Sequence, residues 1–293
     1  MLTPGVNPEK RHGRRAGIAL IMRLMNYTGK WALITGASAG IGTTFARSYA
    51  ARGANVILVA RREDRLKTLA EELEKAHGVK ARIITADLAE PSAPQTIFET
   101  LEADGIPVDI LINNAGFGMP GAYTENDWPT HRAFLELMVV SYAQMTRLFL
   151  PGMKDRDFGR IIQVASLAGL VPGAAGHTLY APSKAFLISF AQSIAAECDG
   201  TGVHSSALCP GFTYSEFHDA NNTRSIVSQL PKYMFMEAEP VVEGAIEAVE
   251  KGQAVYVPGA WNKFVAWLSR TLPRSVSEGM VKNQSSRFRK KNV

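Results

Sequence analysis

The sequence predicts an α/β fold in which helices cover both faces of a doubly wound parallel sheet. Three observations support it: short apolar runs alternate with helical patterns, a glycine-rich turn joins the first run to the first helix, and 46% of the 293 residues are apolar. That apolar content is enough for one large core, so a single domain is expected. Ligands bind such sheets at the carboxyl ends of the strands.

Composition argues against several classes of protein. Cys198 and Cys209 form neither a disulfide framework nor a CxxC pair, and the six histidines lack a ligand spacing, so no metal site is predicted. The net charge of +5 is unevenly divided, because residues 1–30 carry +5, residues 258–293 carry +7 and the remainder carries −7. A body of negative charge argues against nucleic-acid binding, and a reducing cytoplasm is the expected location.

The charge divides the chain into a basic tail (1–29), a central domain (30–257) and a basic amphipathic extension (258–293). The motifs described below predict that the central domain binds a dinucleotide and is catalytic. The apolar run at 16–22 is too short to cross a membrane and lacks a cleavage site. The extension contains an apolar face that consists of Trp261, Phe264, Val265, Trp267 and Leu268. This face either covers the substrate cleft, packs at a subunit interface or lies on a membrane surface. The two basic tails are expected to meet an anionic ligand or surface, such as peripheral contact with a membrane, and the alternative is that they are solvated ends.

The first predicted strand, Trp31–Ile34, leads through a glycine-rich turn at 35–42 into a helix that continues to Ala51. Glycines allow close approach of the backbone, and the free N–H groups of a helix amino end attract anions. This element therefore predicts a phosphate cradle.

The second strand, Asn55–Ala60, ends at Arg61-Arg62. In many dinucleotide-binding folds an acidic residue at this position binds the hydroxyls of the adenosine ribose. Arginine suits a 2′-phosphate instead, so Arg61 predicts NADP(H) over NAD(H). The alternative is that Arg61 is merely an exposed residue at the start of a helix.

The remaining pattern continues the alternation. The predicted elements are a helix at 63–77, a strand at 81–86, a helix at 92–103, a strand at 110–112, a long helix at 127–150, a strand at 159–166, a helix from Tyr180 to Cys198, a strand at 203–208, an irregular region at 212–237, a helix at 240–250 and a strand at 254–257. Asn113-Asn114-Ala115-Gly116 follows the fourth strand, where a ligand is expected.

Tyr180 and Lys184 are four residues apart on a predicted helix, so they share one face. A nearby cation favours the anion of a phenol, so Lys184 is expected to lower the pKa of Tyr180. This pair predicts a group that gives and takes a proton near neutral pH.

Taken together, the motifs at 35–42, 113–116, Ser166, Tyr180-x-x-x-Lys184 and Pro210-Gly211 resemble those of the short-chain dehydrogenase/reductase family. The resemblance implies a seven-stranded Rossmann-type sheet, a nicotinamide cofactor and the catalytic residues Ser166, Tyr180 and Lys184. The cofactor residues that it implies, together with Arg61, are Gly36, Ala37, Ser38, Ile41, Gly42, Asp87, Leu88, Asn114, Ala115, Tyr180, Lys184, Pro210 and Gly211. For Asp87 the alternative role is a helix N-cap.

One position departs from the family pattern, because Met138 stands where the family has an Asn that helps to hold a proton-relay water. A Met side chain cannot hold that water. Either the backbone carbonyl at 138 holds it or Ser141 substitutes.

The sequence therefore predicts an NADP(H)-dependent oxidoreductase that interconverts a ketone and a secondary alcohol on an apolar, lipid-like, acyl or steroid-like substrate. Its expected assembly is a homodimer or homotetramer. The apolar prediction rests on Phe117, Met119, Met138, Phe212, Tyr214 and the stretch 233–236. The alternative is a cofactor-binding sensor or interaction protein whose catalysis is weak or lost because of Met138.

Overall fold

Seven parallel strands form the central sheet of the computed structural model, which describes residues 25–119, 121–173, 175–176, 178–214 and 231–272. The strand order is β3-β2-β1-β4-β5-β6-β9, so the predicted doubly wound seven-stranded sheet is confirmed. The sheet strands are β1 (Trp31–Thr35), β2 (Asn55–Ala60), β3 (Ala81–Thr85), β4 (Ile110–Asn113), β5 (Gly159–Val164), β6 (Val203–Leu208) and β9 (Val255–Tyr256). Most of the predicted basic tail, and residues 273–293 of the predicted extension, lie outside the described residues.

Eight α-helices accompany the sheet in the described part of the chain. They are α1 (Gly40–Ala50), α2 (Glu63–His77), α3 (Ala93–Ala103), α4 (Trp128–Leu135), α5 (Ser141–Asp155), α6 (Tyr180–Glu197), α7 (Ala238–Glu250) and α8 (Ala260–Thr271). The single long helix predicted at 127–150 is interrupted, because a π-helical turn at Glu136–Val140 joins α4 to α5.

The strands are apolar on both faces because each face is covered by helices. On one face Ile34 and Leu58 pack in a cluster that includes Phe45 of α1 and Ile246 of α7. On the opposite face Leu33 packs in a second cluster with residues of α3, α4, α5 and α6. Continuous apolar strands are typical of a parallel sheet buried on both sides.

The stretch Trp128–Asp155 passes the length and composition test for a membrane span among the described residues, with 28 residues. One apolar side of it, however, packs into the core, where Phe134, Met145 and Phe149 are buried. A buried amphipathic face is that of a core helix.

The region predicted to be irregular contains a small second sheet. β7 (Phe212–Thr213) pairs in parallel with β8 (Phe235–Met236), so the two ends of this region lie side by side. The prediction was wrong at these ends because the two partners are more than 20 residues apart in the sequence and neither has a strand pattern of its own. Residues 215–230 lie outside the described residues.

The sheet order reverses between β1 and β4, where Ile34 pairs with Ile112, and ligands of open α/β sheets bind at the carboxyl ends of the strands beside such a reversal. Thr35, only 1% exposed, connects the two turns there. Its hydroxyl donates to the Ile112 carbonyl (3.3 Å) and accepts the N–H groups of Asn114 (2.8 Å) and Ala115 (3.0 Å). The turns after β1 and β4 are therefore fixed to each other.

We expect Thr35→Val to lower the free energy of unfolding by about 1–3 kcal/mol, because two buried N–H groups and a carbonyl lose their partner. Urea denaturation measures this. Thr35→Ser is the matched control, since it keeps the hydroxyl and loses only a methyl group. A valine variant as stable as the serine variant would contradict the role assigned to the hydroxyl.

Candidate active site

Tyr180 and Lys184 lie on one face of α6, at its first and second turns. Lys184 is 4% exposed, and its Nζ donates to the Val164 carbonyl at the end of β5 (2.7 Å). The same nitrogen lies 5.7 Å from the centroid of the Tyr180 ring. The structure thus brings the predicted phenol and amine together beside the carboxyl end of the sheet.

Ser166 joins this pair from the segment that follows β5. It hydrogen-bonds to the Tyr180 phenol and begins a 3-10 turn at Leu167–Leu170 that packs on α6. Gly169 permits that packing, because a Cβ atom there would lie 2.6 Å from the backbone carbonyl carbon of Lys184. All three predicted catalytic residues therefore meet.

The pKa values of the pair differ from the sequence-based expectation. Burial lowers the pKa of Lys184 to about 7, with partial opposition from the nearby Cys209 thiol. Burial also raises the pKa of Tyr180, and the hydrogen bond with Ser166 opposes that rise only in part. The expected lowering for Tyr180 is absent from this structure because burial disfavours its anion and because Lys184 is itself only partly charged at neutral pH.

Tyr142 is a site residue that the sequence analysis missed. It is buried on α5, its hydroxyl donates to the Ala115 carbonyl (2.8 Å), and its ring centroid lies 5.7 Å from Lys184 Nζ. Burial, followed by the proximity of Tyr180, raises its pKa. Its spacing of four residues from Met138 was the available signal, because it places Tyr142 one turn beyond the family's Asn position.

Met138 is fully buried within the π-helical turn Glu136–Val140. Its side chain fills the space beside Gly116, where an added Cβ would lie 2.9 Å from the sulfur. The hydroxyl of Ser141 donates to the Leu137 carbonyl of its own helix (2.7 Å). Ser141 is therefore engaged within the helix, which argues against it as a substitute for the family's Asn.

Asn114 holds the glycine-rich turn. Its amide nitrogen donates to the carbonyls of Thr35 (2.8 Å) and Gly36 (3.3 Å). A Cβ atom at Gly42 would lie 2.3 Å from the Gly36 oxygen and 2.6 Å from the Asn114 nitrogen. Only glycine fits there, so the first turn of α1 approaches the preceding loop closely.

The amino end of α1 fits a nicotinamide cofactor's pyrophosphate. Within the described part of the chain no side chain caps this end, Ala39 is its N-cap, and its first turn contains no acidic residue. The N–H groups there suit an anion. Ala37 is buried and Ile41 packs against the core, so these two predicted cofactor residues also anchor the glycine-rich turn to the core.

The neighbouring Asn113 stabilises the protein core through buried hydrogen bonds. Its amide nitrogen donates to Gln163 (3.1 Å), to the Tyr142 carbonyl (3.3 Å) and to the Thr146 hydroxyl (3.3 Å), all within a buried network. The two adjacent amides of this motif thus have separate roles, one towards the ligand turn and one towards the fold.

Two arginines follow β2 at the rim of the cleft. Arg62 donates to the Ser38 hydroxyl through Nη2 (3.0 Å) and Nε (3.2 Å), and Arg61 forms an exposed ion pair with Asp87 (3.5 Å). The sequence analysis assigned a site role to Arg61 only. Arg62 was missed because its contact with Ser38 depends on how β1 and β2 pair.

Asp87 and Leu88, two of the predicted cofactor residues, have side chains in different surroundings. Asp87 accepts the N–H of Ala89 (3.0 Å), and α3 starts after its own N-cap, Ser92. The alternative role of Asp87 as a helix N-cap is therefore wrong. Leu88 is buried in the core, so its side chain belongs to the fold.

Pro210 and Gly211 contact both the turn that follows Ser166 and helix α8 of the C-terminal extension. The Pro210 carbonyl accepts the N–H of Leu167 (2.9 Å). Asn262 of α8 lies against Gly211, where a Cβ would be 2.3 Å from its side-chain oxygen, and it donates to the Pro258 carbonyl (2.8 Å). The C-terminal helix thus packs directly on a predicted cofactor turn.

The predicted substrate residues form two groups. Phe117 is half-buried against Phe134 (5.4 Å between ring centroids), in the same cluster as Met138. Phe212 and Tyr214 both contact Phe235 of β8, with centroids 5.5 Å and 5.0 Å apart. Among the described residues no cluster of His, Cys, Asp or Glu is placed to hold a metal ion.

We expect the stability of the protein to rise between pH 7 and pH 9, by up to about 1.4 kcal/mol per pH unit from Lys184. Its pKa is about 7 when folded and returns to the ordinary 10.5 when unfolded, so the unfolded chain binds more protons in this range. Tyr142 and Cys209, whose pKa values are raised, oppose this only at higher pH.

Urea unfolding at several pH values measures the slope. Lys184→Met should remove the pH-dependent contribution of Lys184 to stability. Lys80→Met, at an exposed position, should leave the dependence of stability on pH unchanged. Equal slopes in the protein and in Lys184→Met would contradict the lowered pKa.

The chain is similar to known proteins over most of its length. Residues 30–225 match the family described as short chain dehydrogenase. It is 39% identical over 246 residues to a short chain dehydrogenase of Pseudocercospora fijiensis, covering 81% of this chain and 74% of that protein. It is 31% identical over 210 residues to a 7beta-hydroxysteroid dehydrogenase of Collinsella aerofaciens, covering 72% and 76%.

Among solved structures, a short-chain dehydrogenase from Sphingobium yanoikuyae in complex with NADPH superposes with a TM-score of 0.74 at 27% identity, covering 90% of this chain and 98% of that one. Further solved relatives at 27% and 29% identity are in complex with NADPH and NADP. The resemblance inferred from the motifs is thereby confirmed: the chain belongs to the short-chain dehydrogenase/reductase family, whose members are oxidoreductases.

Proposed function

We propose that this protein is an NADP(H)-dependent oxidoreductase that interconverts a ketone and a secondary alcohol on an apolar substrate. The observation that carries the proposal is the meeting of Ser166, Tyr180 and a buried Lys184 beside the glycine-rich turn. This set can stabilise an oxygen on which negative charge develops and can give it a proton.

When bound, the nicotinamide supplies or removes the hydride. In the reduction, the hydroxyls of Ser166 and Tyr180 hydrogen-bond to the carbonyl oxygen, and Tyr180 donates its proton as charge builds there. The raised pKa of Tyr180 keeps the phenol protonated beforehand. Lys184, one turn away, stabilises the phenolate once the proton has left. In the oxidation, the phenolate form of Tyr180, stabilised by Lys184, takes the proton from the alcohol.

The preference for NADP(H) is supported by the two arginines at the end of β2. Arg62 and Ser38 form a cluster of donors at the rim of the glycine turn, with Arg61 next to it. A 2′-phosphate forms charge-assisted hydrogen bonds with such groups, and the free hydroxyl of NAD(H) does not. The related structure with NADPH agrees with this preference.

An apolar substrate is supported by the rings near the carboxyl ends of the strands. Phe212, Tyr214 and Phe235 form one aromatic group, and Phe117 and Met138 belong to a separate apolar cluster. Pockets for small apolar ligands have this composition. The similarity to a hydroxysteroid dehydrogenase favours a bulky alicyclic or lipid-like ketone.

A cofactor-binding sensor with little catalysis is the rival function, and Met138 is the observation that favours it. Its apolar side chain offers no hydrogen bond to a relay water. Retention of Ser166, Tyr180 and Lys184 favours the enzyme.

With NADPH and a panel of steroid and 3-oxoacyl ketones, we expect loss of absorbance at 340 nm, and we expect Tyr180→Phe to lower kcat by about 10²–10⁴-fold while cofactor affinity persists. Tyr123→Phe, which alters an exposed tyrosine, is the control and should keep full turnover. NADPH binding without turnover of any ketone would favour the sensor instead.

We expect Arg62→Ala and Arg61→Ala each to reduce the preference for NADPH over NADH, by about 1.5–3 kcal/mol for the residue that contacts the 2′-phosphate. Cofactor titration by protein fluorescence measures both affinities. Arg82→Ala, which removes an exposed arginine of β3 paired with Asp104, should leave the preference intact. Equal affinity of the unmodified protein for the two cofactors would refute the NADP(H) assignment.

A further inference from the structure

Helix α8 is anchored by small and polar residues and turns its aromatic residues outward. Asn262 and Ala266 are its buried positions, whereas Trp261, Phe264 and Trp267 are exposed. The sequence predicted that the large apolar residues of this segment share one face, and it did not decide whether that face contacts the substrate cleft, another subunit or a membrane. In the structure the aromatic members of that face lie on the protein surface.

Tyr233 extends these three side chains into a continuous aromatic row. The centroid distances are 5.4 Å from Tyr233 to Trp261, 5.9 Å from Trp261 to Phe264 and 6.1 Å from Phe264 to Trp267. Their exposed fractions are 65%, 39%, 48% and 58% in the same order. Scattered apolar residues are normal on a surface, but four adjacent exposed rings indicate an interaction site.

The charge beside the aromatic row is positive. Helix α8 contains Lys263 and Arg270 and no acidic residue. By sequence, residues 273–293 add six Lys and Arg against the single acidic residue Glu278. Tryptophan and tyrosine favour the boundary between lipid and water, and basic residues favour anionic headgroups. This combination is complementary to an anionic bilayer surface.

A second copy of the chain is a poorer occupant of the same surface. A two-fold contact centred on α8 would place Lys263 and Arg270 of one copy near the same two residues of the other copy. Like charges in such a contact repel each other, whereas an anionic lipid surface attracts all of them.

The aromatic row also lies near the catalytic elements. Asn262, on the opposite side of α8, contacts Gly211 and lies 3.7 Å from the Met236 sulfur of β8. The same helix packs against the turn at Leu167–Leu170, next to Ser166. A membrane in contact with the row would therefore be close to the site.

We propose that the aromatic row docks the protein on the surface of an anionic lipid bilayer, with α8 lying along the boundary between headgroups and acyl chains. The proposal rests on α8 and its surroundings and is independent of the enzymatic activity.

Co-sedimentation of the full chain with phosphatidylcholine vesicles, with and without phosphatidylglycerol, tests this proposal. We expect binding that requires phosphatidylglycerol and weakens with added salt. The double variant Phe264→Ser/Trp267→Ser should bind at least about tenfold more weakly, because its apolar contact with the bilayer is lost. Trp128→Ser is the matched control, since Trp128 is an exposed tryptophan on α4, and it should bind as the unmodified protein does.

Tryptophan fluorescence separates the possible occupants. In the variant Trp31→Phe/Trp128→Phe, the two remaining tryptophans are Trp261 and Trp267. Anionic vesicles should shift their emission to the blue and protect them from acrylamide. Absence of a blue shift with anionic vesicles would overturn the proposal. Protection from acrylamide without vesicles would also overturn it: protection that is constant with protein concentration would mean that the chain itself covers the aromatic row, and protection that grows with concentration would mean that a second copy does.

Discussion

The hydroxyl of Thr35 is the contact on which the rest of the site depends. It is buried between two neighbouring parallel strands, and it uses its one proton and two acceptor positions in full. The turn after β4 is thereby held against the turn after β1, and Asn114 is set to grip the glycine-rich loop. The amino end of α1 and the carboxyl end of β5 then occupy fixed positions on one sheet.

Burial of Lys184 shows how such rigidity serves chemistry. A cation in the interior is costly unless it is paired, and here one backbone carbonyl and two tyrosine rings surround it. The result is an amine whose two protonation states are close in free energy near neutral pH. The neighbouring phenol is shifted in the opposite direction. Both shifts favour the uncharged forms of the two groups, because burial disfavours a charge on either of them.

Most of the fold was predictable because its signals are local. The bounds of β2, α2 and β6 agree with the apolar patterns, since each contains its own periodicity and punctuation. The positions of Tyr180 and Lys184 were predicted from their spacing, that of Ser166 came from the family resemblance, and the structure brings the three together. Contacts between distant segments were not predictable: Arg62 on Ser38, Tyr142 on Ala115 and the pairing of β7 with β8 all depend on tertiary structure. The pKa of Tyr180 was misjudged for the same reason, because burial is a property of the folded molecule.

The π-helical turn at Glu136–Val140 has a consequence for how this region tolerates change. An α-helix rotates its side chains by a fixed angle per residue, and a π turn accommodates one extra residue within that rotation. Phe134 before it and Tyr142 after it therefore both face inward although a regular helix would set them differently. Because the turn already holds the extra residue, losing one residue within it would leave a regular α-helix in which Tyr142 still faces the amine, whereas gaining a further residue would rotate every later position of α5.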